Sequence, residues 1–95
     1  MTSPYEIAKG GGKHKGLLVQ LENFGSVQLE RAIRSHRKTA EDHLRKIGNP
    51  SSVIDDWENR TELYRQGVIR KWQAEVDNSL EQVSIIEAYR NEKQT

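Results

Sequence analysis

Three side chains of this 95-residue chain titrate near neutrality, His14, His36 and His43, and all three lie in its first half. Around them stand Lys9, Lys13, Lys15, Arg31, Arg34, Arg37 and Lys38. These seven basic residues face only the acids Glu6, Glu22 and Glu30, so residues 1–39 carry +4. Residues 40–95, with eight basic against eleven acidic residues, carry −3, and a net charge of +1 conceals the division. Imidazoles among cations suit metal-free cleavage of an RNA phosphodiester. That reaction needs a base for the 2′-hydroxyl proton, an acid for the leaving 5′-oxygen and a cation for the crowded phosphorane.

His14 and His43 are the candidate acid and base, in an order that spacing leaves open, with Lys13, Arg34 and Lys46 neutralising the phosphate. His43 and Lys46 stand three residues apart, a spacing that puts both on one helical face around one phosphate. Lys15, Arg37 and Lys38 extend the basic surface for RNA binding. His36 falls between Ile33 and Ala40 in an apolar stripe and reads as an imidazole that packs. Other chemistries find no pattern. There is no cysteine, no His-Glu-x-x-His, no nucleophile elbow and no Gly-rich phosphate fingerprint. Asp55, Asp56 and Glu58 read as a solvated cap, and Trp57 and Trp72 as core anchors. No metal or cofactor is expected.

The elements that must position these residues are helical. Residues 1–16, with Pro4 and Gly10-Gly11-Gly12, have no helical or strand period and read as a Gly- and Lys-rich arm, the Gly run as a linker. Residues 17–95 read as one helical domain. Leu17–Glu22 makes a short helix, broken by Asn23-Phe24-Gly25. Ser26 caps a helix whose apolar positions Leu29, Ile33, Ala40, Leu44 and Ile47 lead to a C-cap at Gly48 ahead of Pro50. After a connection over residues 49–59, Thr61 caps a long helix striped by Tyr64, Val68, Trp72, Val76, Leu80, Val83 and Ile86, with Gly67 and Asp77-Asn78-Ser79 as places where it can kink. The predicted fold is therefore an all-α antiparallel hairpin of two long helices, with a short N-terminal helix packed on it. No apolar run approaches the ~18 residues of a membrane span.

The succession Gly-Gly-Lys13-His14-x-Gly16, Ile33-Arg34-Ser35, His43-x-x-Lys46-Ile47-x-Asn49-Pro50, Trp57 and Gly67-Val68-Ile69-Arg70-Lys71-Trp72 resembles the small domain that ends bacterial polymorphic toxins. Similar segments end some phage head-associated proteins. The resemblance runs from about residue 9 to residue 90. It implies a toxin tip, most often a nuclease, delivered as part of a larger protein into the cytoplasm of a competing cell and silenced in the producer by an immunity protein. In that pattern Tyr5–Gly10 is the junction where the tip begins. The shared positions are Lys13, His14, Ser35, His43, Lys46 and Asn49, with Ser35 and Asn49 also suited to structural roles; His36 has no counterpart.

The expected partners are thus an RNA substrate and an acidic immunity protein docking on the cationic half, without a membrane. The rival readings are a non-enzymatic helical interaction module and a nucleic-acid binder that does not cleave. The modest net charge counts against the binder, which relies on backbone contacts.

Overall fold

The computed structural model describes residues 2–94. Four helices follow one another without a strand among the described residues: α1 (Pro4–Lys9), α2 (Lys15–Leu21), α3 (Ser26–Gly48) and α4 (Glu62–Gln94). Helix α3 and the 33-residue α4 form the antiparallel hairpin, and α1 and α2 fold back over its open end. α4 runs unbroken through Gly67 and residues 77–79, about 50 Å at the standard rise, so neither weak point becomes a kink.

Each boundary has a local cause. Ser3 Oγ accepts the Glu6 N–H at 3.2 Å, and Pro4 supplies the first turn of α1. α3 begins one residue earlier than a Ser26 cap would place it, with Gly25 as the N-cap. The Gln28 side chain accepts the Gly25 N–H at 2.8 Å, whereas a cap at Ser26 would have put Leu29 in that place, with nothing to accept. Asn49 rather than Gly48 closes α3, because Pro50 drives the residue before it out of the helical region, to φ −149. Thr61 caps α4 as expected, its hydroxyl accepting the Tyr64 N–H at 3.1 Å.

The arm reading of residues 1–16 is corrected. Pro4–Lys9 is a helix, and its Ala8 is buried in the core with Leu21, Leu29, Ile33, Val83, Ile85 and Ile86. The glycine run is a tight turn rather than a linker. The N–H groups of Gly10, Gly11 and Gly12 close the end of α1 on the carbonyls of Glu6, Ala8 and Ile7, and Gly11 has φ +90. A Cβ on Gly12 would lie 2.8 Å from the Ile7 side chain, so only glycine permits this return.

The apolar core gathers where α1, α2, the start of α3 and the end of α4 meet, with Tyr5, Leu17, Phe24 and Tyr89 around it. Toward the connection the seam thins to Ala40, Val76 and Trp57, which stacks on Trp72 at 6.4 Å between ring centres. Three stripe residues depart from expectation there, Tyr64, at 43% exposure, among them. Steps of four rotate the Tyr64-Val68-Trp72-Val76-Leu80 row by about 40° each, so Leu80 turns out to 47% exposure and Ser79 takes the buried place. Leu44 lies beyond the deep core, 49% exposed.

Stability should track this division. Ile85→Ala, at a fully buried site, is expected to cost about 2–5 kcal/mol by urea unfolding. Val27→Ala, at 61% exposure, should stay within about 0.5 kcal/mol. Equal losses at the two positions would mean that the core is not where the packing places it.

Candidate functional site

The three histidines are all set against α4, each by a different route. The turn after α1 puts His14 in the left-handed region, φ 71, a conformation uncommon outside glycine, as the N-cap of α2. From there its Nε2 lies 3.0 Å from Glu81 Oε1, and the same oxygen accepts from Lys13 Nζ at 2.8 Å. Lys13 first, and His14 next, hold the Glu81 carboxyl below the usual carboxylate range.

His36 and His43, two turns apart on α3, face the seam with Ile33 and Ala40. Together with Lys71, Glu75 and Ser79 of α4 they border a groove of about 580 Å³. His36 is half-buried; burial, and then the charge of His14, lower its pKa below the ordinary 6.5, so the ring is held neutral. His43 is bound at both nitrogens, with Nδ1 2.8 Å from the Thr39 carbonyl and Nε2 2.5 Å from Glu75 Oε2. A carbonyl only accepts, so Nδ1 carries a hydrogen.

The other residues singled out by spacing are not brought into this groove. Lys46 shares a turn with His43 but points elsewhere, its Nζ 6.0 Å over the Trp72 ring, where the indole face attracts the cation. Arg34 and Lys38 sit about 160° round α3 from His36, on the solvent side, Lys38 pairing with Asp42 at 3.2 Å. Arg37 pairs with Glu87 at 3.1 Å, and Lys15 is exposed at the start of α2. His14 and His43 occupy separate recesses on Glu81 and Glu75, and His36 lines the groove with His43. Spacing had missed His36, Lys71, Glu75 and Glu81. The apolar stripe of α3 carried the signal for His36, since the stripe faces α4.

The charge division also acquires a structural role. Cations and imidazoles of the first half meet carboxylates spaced along α4: His43 on Glu75, Lys13 and His14 on Glu81, Arg37 on Glu87, Lys9 on Glu92. Among the described residues no three His, Asp or Glu side chains converge as metal ligands, and no helix is long and apolar enough to cross a membrane. No family model, curated protein or solved structure matches this chain.

The pKa directions of His36 and Glu81 set two parts of the pH dependence of folding. His36 resists protonation in the folded state, so the unfolded chain binds the extra proton and stability declines as pH falls below 6.5. Glu81, with its folded pKa lowered, adds stability above 4.5 that is lost as pH falls further. Urea midpoints across this range should show both declines. His36→Gln should flatten the upper one and Glu81→Gln the lower. Unchanged pH profiles in the variants would refute the assignment.

Proposed function

We propose that this domain is a metal-independent ribonuclease, the RNA-cleaving tip of a toxin, working in the groove between α3 and α4. The observation that supports it most is the pair of imidazoles bordering one groove: His36 with its pKa lowered by burial, and His43 held between the Thr39 carbonyl and the Glu75 carboxylate. Two imidazoles on one groove can divide the work of base and acid, and a carboxylate beside one of them orients that ring for its part.

In this reading His36 takes the proton from a 2′-hydroxyl, whose oxygen attacks the adjacent phosphorus. The bond to the 5′-oxygen breaks, and that oxygen takes the His43 Nε2 proton, the partly exposed Glu75 side chain yielding its place to the leaving group. The products are a 2′,3′-cyclic phosphate and a 5′-hydroxyl. Lys71, on the rim of the groove, neutralises the phosphate. This replaces the His14 and His43 pair expected from spacing. Lys13, His14 and Glu81 become the support that sets the charge beside His36. An acidic immunity protein would cover this groove.

The specific test is cleavage of tRNA or rRNA by the purified chain in excess EDTA, with end-group analysis. Cyclic phosphate ends are expected, and DNA should remain intact. His36→Ala and His43→Ala should each lower kcat by about 10²–10⁴-fold with KM little changed, whereas Lys46→Met should retain activity. The acid limb of the rate profile should lie below pH 6.5, following His36. Full activity in a folded His36→Ala protein, or dependence on an added metal, would overturn the mechanism. In bacteria, expression should arrest growth and the two histidine variants should relieve the arrest.

A further inference from the structure

Leu80, turned out of the seam, does not stand alone. Ile69, Arg70, Gln73, Asp77 and Leu80 share one face of α4, and all but Leu80 line a groove of about 850 Å³ walled on one side by Trp57. At 100° per residue this face lies roughly 110° from the seam and roughly 160° from the Lys71, Glu75 and Asn78 side of the histidine groove. It combines exposed apolar surface with charge of both signs. Arg70 makes no ion pair among the described residues, and Asp77 has as its hydrogen-bond partner the neutral Gln73 amide, at 3.1 Å.

We propose that this face binds a second copy of the chain, with α4 crossing α4 antiparallel about a two-fold axis near the level of Gln73 and Ala74. What selects the second copy is the symmetry of the residues themselves. About that level Arg70 falls opposite Asp77 of the second copy, and Asp77 opposite its Arg70. On the other edge Ile69 falls opposite Leu80, and Leu80 opposite Ile69. Gln73 meets its own equivalent at the centre. One surface patch thus supplies both halves of two ion pairs and two apolar pairs, which is the requirement of a closed isologous dimer. Ala74 borders both grooves, but the Lys71, Glu75 and Asn78 side of the histidine groove faces away from the axis, so both copies keep it open, and the dimer stands or falls independently of the ribonuclease reading.

Sedimentation and light scattering across a dilution series, up to about 100 µM chain, test this against micromolar Kd values. The expected result is a mass twice the 10.9 kDa of one chain at the upper end. Arg70→Glu and Asp77→Arg, each creating two like-charged contacts, should each raise the dimer Kd by about tenfold or more. The combined Arg70→Glu/Asp77→Arg chain should recover to within about threefold of the original, since only the direction of the ion pairs is reversed. Leu80→Asp, at an exposed site, should give a folded monomer by circular dichroism. A chain that stays monomeric throughout would leave the face to another occupant and overturn the proposal. So would a dimer indifferent to Leu80→Asp, or one that the charge swap fails to restore.

Discussion

The apolar seam of this hairpin runs out before its helices do, and the rest of the structure follows from that shortfall. A chain of this size buries few large side chains, and seven of the buried residues sit in one cluster at the open end. Beyond it two long helices still lie side by side, and imidazoles, Ser79 and carboxylates fill the interval. A half-buried polar group needs a partner, so each such residue fixes the position of another. Exposed ion pairs are individually worth roughly 0–1 kcal/mol, so the glutamates along α4 set the register and orientation of α1, α2 and α3 more than they add to stability. The deep core holds the helices together; the polar interval determines what they present.

The same constraint gives His36 and His43 their different characters. Both belong to the α3 stripe that faces α4, and within their own helix what separates them is the Thr39 carbonyl that His43 Nδ1 meets. The further difference comes from what tertiary structure sets against each. The turn after α1 delivers a second imidazole beside His36, while His43 meets the side chain of Glu75. In the proposed mechanism the roles of acid and base follow from docking rather than from residue type.

Sequence reasoning recovered the elements whose signals are long and periodic. The two main helices, the Thr61 cap and the break at Asn23-Phe24-Gly25 were legible because each depends on neighbours within a turn. α1 was not, since six residues with one buried alanine carry no resolvable period. Nor was the role of Gly12, which depends on the approach of Ile7. The uneven charge was plain in the sequence, but its use was internal: much of the basic half is met by α4. Lys46 shows the limit of spacing arguments, because a correct helical offset from His43 did not foresee the indole that attracts it away. Leu80 shows another, since counting in fours accumulates a rotation that eventually turns a residue out of its stripe.

The Tyr5 hydroxyl donates to Glu92, and Lys9 joins the same carboxylate, so α1 lies against the last turns of α4. Burial and this contact push the Tyr5 phenol up to about 12, so the hydroxyl keeps its proton at any ordinary pH. The beginning and the end of the fold therefore share one pole, with Trp57 and its connection at the other. Mechanical load applied through both ends would open the molecule like a zipper, parting α1 from α4 contact by contact, instead of shearing the long helices along their length. Resistance to traction is thereby set at that pole, where the α1 contacts give way first and the buried cluster behind them next.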